Sequence, residues 1–130
     1  MLMLGWRALR YLRAFTQPVR LDLEKLPASS GNSLVTRLTG KLALETVHNF
    51  IEIMRPEPPA HLILDMSGVS FLDSAGVGAL VSIFVSRRNA GKTLALAELT
   101  PQGNAVLQVA GLANLLPTYP TVESALKMQN

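Results

Sequence analysis

His61-Leu-Ile-Leu-Asp-Met-Ser-Gly-Val-Ser-Phe-Leu-Asp-Ser-Ala-Gly-Val-Gly-Ala-Leu80 is the stretch whose reading decides the fold. Its first five residues, 61–65, are an apolar run with polar ends, the pattern of a short buried strand. From Ser74 onward the period changes. Val77, Leu80, Val81, Phe84 and Val85 recur at helical spacing, which predicts a helix over 74–89 with that stripe against the core. The face left over carries Gly76, Gly78, Ala79 and Ser82, all small, so the sequence predicts an exposed surface that another molecule can approach closely. Ser74 falls at the helix start, directly after Asp73. Either side chain is of the type that caps a helix N-terminus. A helix start also presents unpaired amides and the positive end of the dipole, a setting that accommodates a phosphate.

Working outward, residues 21–27 alternate apolar and polar and end on a proline, as an edge strand does. Ser29-Ser-Gly-Asn32 supplies a turn, and 33–38 a second strand that pairs with the first as a hairpin. Residues 42–54 have a helical stripe of Leu44, Val47, Phe50, Ile51 and Met54, stopped by Arg55-Pro-Glu-Pro-Pro59. Beyond the central helix, Asn89-Ala-Gly91 closes it, 93–99 is an apolar strand, and 102–109 is a further helix. A short segment follows near Leu115, and Thr121 caps a last helix. Helices alternating with apolar strands after residue 40 imply crossover units and a parallel core. The expected fold is therefore a single α/β domain over 21–130, its sheet mixed because of the opening hairpin.

At 130 residues the chain fits one domain with a real core, and 48% hydrophobic against 16% charged residues excludes a disordered chain. The absence of cysteine removes disulfides, thiolate metal sites and cysteine nucleophiles, and suits a reducing cytoplasm. The net charge of +3 is unevenly placed. Residues 1–20 hold Arg7, Arg10, Arg13 and Arg20 and no acid, which leaves eight basic and nine acidic side chains for the rest. The basicity belongs to a leader, 1–20, and a nearly neutral domain lacks the positive stripe of a nucleic-acid binder. Residues 1–16 suit an amphipathic helix. Arg7, Arg10 and Arg13 share one side, Leu4, Leu9, Tyr11, Leu12 and Phe15 spread over the other, and Trp6 sits at the edge of the basic arc. That pattern is compatible with peripheral contact to an anionic membrane, or with packing on this domain or on a partner.

Three motifs invite catalytic readings and fail them. Gly91-Lys-Thr93 lacks the earlier glycine of a phosphate loop, position 86 being serine, and it runs from helix to strand rather than strand to helix. Ser74 has Gly76 after it but Leu72 where a nucleophile elbow has its first glycine, and only His48 and His61 are available as bases. Asp65 and Asp73 stand at a strand end and a helix start, where aspartate needs no chemistry to be useful. No cofactor, metal or enzymatic activity is expected.

The run from Leu64 to Leu80 resembles the signature of STAS domains, in particular those of bacterial anti-sigma-factor antagonists. Ser33-Leu-Val-Thr-Arg-Leu-Thr-Gly40 is similar to that family's early strand and glycine, Ala110-Gly-Leu112 to the segment before its last strand, and Thr121-Val-Glu-Ser-Ala-Leu126 to its closing helix. Where many members carry Gly-Glu-Leu-Asp after the early strand, this chain has Gly40-Lys-Leu-Ala43, so both acids are missing. The resemblance implies a cytoplasmic binding module that sequesters an anti-sigma switch kinase and so regulates sigma-factor-dependent transcription. The kinase, an ATP user in its own right, would phosphorylate Ser74 and end the contact. The implied docking surface is Asp73, Ser74, Ala75, Gly76, Gly78 and Ala79. A second reading, favoured by the basic leader and the missing acids, is a STAS-type accessory subunit of a membrane lipid-transport ATPase.

Overall fold

The computed structural model describes residues 19–26 and 31–129. The predicted leader helix over 1–16 and the turn at 29–30 lie outside the described residues. Five strands and four helices follow in the order β1 (Leu21–Lys25), β2 (Ser33–Leu42), α1 (Val47–Met54), β3 (His61–Leu72), α2 (Ser74–Asn89), β4 (Thr93–Ala97), α3 (Pro101–Val109), β5 (Thr118–Tyr119) and α4 (Val122–Gln129). The strands lie side by side in sequence order. β1 and β2 form the expected antiparallel hairpin, and every later pairing is parallel. The mixed α/β sheet is as the sequence predicts.

Strand side chains alternate faces, and here both faces are covered. Leu34, Leu62, Leu64, Leu94 and Leu96 join Phe50 and Met54 of α1, Leu80 and Ile83 of α2 and Leu107 of α3 in the main core. The intervening Val35, Ile63, Ala95 and Ala97 point the other way, against Ala125 and Leu126 of α4. Small residues on β4 let α4 lie close. Its start is capped by Thr121, whose hydroxyl accepts from the Ser124 amide at 3.0 Å, as the sequence predicts. Glu98 adds a second cap across the sheet end, accepting from the Val122 amide at 2.9 Å.

Boundaries differ from the sequence reading at four places. β3 does not stop at Asp65 but runs on to Leu72, because Gly68, Val69, Phe71 and Leu72 keep pairing with β2 through two register shifts. Ser67 and Gly68 are part of the strand. Asp65 accepts from the Ser67 amide at 3.0 Å and hydroxyl at 2.7 Å. Gly68 passes so near β2 that a β-carbon would stand 2.7 Å from the Leu38 carbonyl oxygen. β2 likewise continues to Leu42, so α1 begins at Val47 and not at 42. Thr46 organises the intervening turn, accepting from the Ala43 amide at 3.0 Å and donating to the Lys41 carbonyl at 2.8 Å. Leu44, expected on the core stripe of α1, is 71% exposed as a result. β4 stops at Ala97, two residues before the expected end. The last strand, β5, has only two residues and lies between Pro117 and Pro120, three residues beyond the short segment expected near Leu115.

Candidate functional site

Ser74 follows directly on the end of β3 and opens α2. The cap is Asp73 and not Ser74. Asp73 has extended backbone (φ −104°, ψ −177°), and its Oδ1 accepts from the Gly76 amide at 2.8 Å. Its Oδ2 accepts from the Leu44 amide at 3.1 Å, so one carboxylate ties the helix start to the turn after β2. Ser74 is exposed at the first helical position, and its hydroxyl makes no hydrogen bond within the described residues. A side chain that caps nothing and faces solvent is free to react or to dock.

The predicted docking residues divide in two. Ser74 and Gly78 are exposed and Asp73 and Ala75 half-buried, so all four line the surface. Gly78 faces open space. Gly76 and Ala79, expected on the exposed face, are instead buried, Ala79 at 3% exposure. This corrects the face assignment for α2. The helix turns its small side inward because β2 and β3 come close: a β-carbon on Gly76 would collide with the Leu42 carbonyl oxygen and stand 2.8 Å from Leu72 Cδ1. The core stripe is therefore Gly76, Val77, Ala79, Leu80, Ile83 and Arg87. Val81 and Phe84 are partly buried against it, and Val85, expected in the core, is 45% exposed.

Beside Ser74 lies an open apolar cleft of about 600 Å³ between the first turn of α2 and α3. Leu72 and Val77 form one wall, and Ala105, Val106 and Val109 the other. Val109 is 91% exposed. The sequence reading did not single out this cleft. Its only signal was the clustering of Ala105, Val106, Val109 and Ala110 on one short helix, which gives no hint of which neighbour they face. The two positions where acids are missing also lie here. Lys41 and Ala43 line a second depression with Phe71, Glu45 and Asp73.

Neither histidine serves Ser74. His61 opens β3, twelve residues long, while Ser74 follows its far end, a separation on the order of 35–40 Å. His61 Nδ1 lies 2.8 Å from Thr93 Oγ1, and His48 Nε2 lies 3.2 Å from Glu52 on the exposed side of α1. The described residues hold no cluster of potential metal ligands and no helix long and apolar enough to cross a membrane.

Asp65, a bystander in the sequence reading, is a structural carboxylate, 3% exposed and 3.1 Å from Arg37 Nε. Burial pushes its pKa up, but the Ser67 hydroxyl and amide together with Arg37 outweigh burial and leave it below the usual carboxylate range. A depressed folded-state pKa contributes stability that is present above the unfolded value and lost as pH falls through the folded one. The urea midpoint of the wild type should therefore fall between about pH 5 and about pH 3 more steeply than that of Asp65→Asn. Equal slopes would show that Asp65 is not a source of the acid sensitivity.

The family model for the STAS domain matches residues 16–125. An anti-sigma F factor antagonist from Paenibacillus polymyxa is 25% identical over 97 residues, spanning 72% of this chain and 83% of its own. Among solved structures, an anti-sigma factor antagonist from Mycobacterium paratuberculosis matches with a TM-score of 0.73 at 21% identity, over 86% of this chain and 96% of its own. The Bacillus cell fate determinant SpoIIAA in its phosphorylated form matches with a TM-score of 0.64 at 20% identity, over 84% and 100%. Structural likeness at such identities speaks to the fold.

Proposed function

The chain belongs to the STAS domain family, and on that premise we propose that it is a cytoplasmic anti-sigma factor antagonist, a binding module switched at Ser74. The observation that carries the reading is the division of labour at the start of α2. Asp73 performs the capping, which leaves the adjacent Ser74 hydroxyl exposed and unengaged beside an apolar cleft. The unmodified surface of Asp73, Ser74, Ala75 and Gly78 docks an anti-sigma switch kinase and sequesters it. Gly76 and Ala79 contribute from beneath, by letting α2 sit tightly on the sheet. The partner supplies its own ATP and magnesium and transfers a phosphate to Ser74. That group brings about −1.5 to −2 charges at neutral pH. The helix dipole accommodates the charge, so the domain stays folded while the apolar contact beside it is broken. Lys41 stands in the neighbouring depression where the family pattern carries an acid, and offers the phosphate a cation on the same surface.

Incubation with the cognate kinase and ATP, followed by intact-mass measurement, tests the switch. Wild type should gain one phosphate and Ser74→Ala none. Ser74→Ala should unfold within about 0.5 kcal/mol of wild type, since the hydroxyl caps nothing, and should hold the kinase persistently. Phosphate on both proteins, or on neither with a kinase that binds, would remove Ser74 as the switch. Recovery of a transporter ATPase in place of a histidine-kinase-like ATPase in a pull-down would instead favour the lipid-transport reading.

A further inference from the structure

We infer that a second copy of this chain docks on the α2–α3 surface about a two-fold axis, each copy placing Val109 in the other's cleft and covering its Ser74. Charge is the first observation behind this. The sequence has no Asp, Glu, Lys, Arg or His between residues 74 and 86, nor between 99 and 122. Those runs take in α2 as far as Ser86, and all of α3 with the loops around it. The outward line of α2 is accordingly Ser74, Gly78, Ser82 and Val85, all exposed. One charged residue, Asp73, lines the cleft, and its two carboxylate oxygens already accept from the Gly76 and Leu44 amides.

Shape is the second. Val109 is the most exposed large apolar side chain among the described residues, and it stands on one wall of the cleft. On the opposite wall Gly78 has no side chain and faces open space. An uncovered apolar surface of this kind marks a contact site. A knob and a hole side by side are what an isologous contact requires, because a two-fold rotation that brings one residue to a second also brings the second to the first. The third observation concerns what else this molecule could present to the cleft. An ionised group docked there would lose water without meeting a counter-charge. β1 exposes Asp22, Glu24 and Lys25, α1 exposes His48 and Glu52, and α4 exposes Glu123 and Lys127. The α2–α3 surface therefore fits itself better than it fits these other faces, so the contact closes at two copies and does not run on head to tail. Such a pair competes with any partner for the surface around Ser74, and a phosphate there would separate it. That regulatory consequence rests on the reading of Ser74 given above, whereas the pairing itself does not.

Sedimentation of the full-length chain from about 1 to about 100 µM, the range suited to a small interface, should show monomer giving way to dimer. Val109→Asp and Ser74→Glu should each raise the dissociation constant at least about tenfold, by placing a charge in an uncharged contact. Met128→Asp on α4 should leave it unchanged. Val109 and Met128 are both exposed, so neither substitution disturbs the core. The natural absence of cysteine allows a second measurement. A Val109→Cys chain is mixed with an isotope-labelled Gly78→Cys chain, and separately with a labelled Met128→Cys chain, under mild oxidation. Intact mass follows the mixed disulfide, which should form at least about tenfold faster with Gly78→Cys. Equal rates would overturn the proposal, as would a dimer that Val109→Asp or Ser74→Glu leaves intact. A monomer at every concentration would overturn it too. Saturable binding of N-phenyl-1-naphthylamine to that monomer, lost in Val109→Asp, would then give the cleft to a small apolar ligand, and no binding would leave it to a different protein. Every arm runs without the kinase, so failure of Ser74 to accept phosphate would count against the Ser74 reading and leave the dimer standing.

Discussion

Arg87→Met should lower the free energy of unfolding by on the order of 4 kcal/mol, a large part of what a domain of this size has. Arg87 lies near the end of α2, is 1% exposed, and reaches across to the loop between α1 and β3. Its Nη1 donates to the Glu57 carbonyl at 3.0 Å, Nη2 to the Pro59 carbonyl at 2.6 Å, and Nε to the Thr93 carbonyl at 2.8 Å. Methionine fills much of the same volume but leaves the Pro59 carbonyl without this donor, and charge-assisted bonds of this type are worth about 1.5–3 kcal/mol each. Lys92 also donates to the Glu57 carbonyl, at 3.3 Å, and would blunt part of the loss. Lysine at 87 should recover little, because one ammonium cannot reproduce the fork that spans three carbonyls. Urea unfolding of the three proteins measures the effect, and a loss under about 1 kcal/mol for Arg87→Met would show that the loop holds itself.

The second large effect is expected at Gly76. Gly76→Val should cost at least about 3 kcal/mol, beyond the usual range for an overpacked core. The added β-carbon meets a strand carbonyl, that of Leu42, and not the yielding end of a side chain. Gly78→Val, two residues along the same helix, faces open space and should stay within about 1 kcal/mol of wild type. Thermal unfolding of the pair separates a packing glycine from a surface one. Comparable losses at both positions would mean that helix propensity, and not the approach of α2 to β2, sets the cost.

That contrast also shows where the sequence was legible. The helix over 74–89, the hairpin and the parallel core followed from periodicity and turn residues, because those signals are local. The faces of α2 did not, because a stripe of Gly76, Ala79 and Arg87 is invisible to a search for large apolar residues. Glycine and alanine are buried here because two strands come close, and arginine because two carbonyls of the loop between α1 and β3 and one at the start of β4 converge on it. Both causes are tertiary. β3 runs past its expected end for a related reason: the apolar run stops at Asp65, and only pairing with β2 carries the strand on to Leu72. Ser74 itself was legible as a helix start. Its freedom from capping was not, since Asp73 and Ser74 are equally good caps on paper, and the bond that Asp73 accepts from the Gly76 amide decides between them.

The borders of the sheet bear on how this domain is recognised. On one side stands β1, five residues with Asp22, Glu24 and Lys25 turned outward among its apolar positions. On the other stands β5, two residues held between prolines. Strand addition, in which a foreign peptide extends a sheet, needs a long uncharged template of free backbone groups. Neither border of the described sheet supplies one. A binding partner is thereby turned away from the backbone edges of the sheet, and under the function proposed above it meets the side chains of α2 and α3, where a phosphate on Ser74 would decide whether it stays.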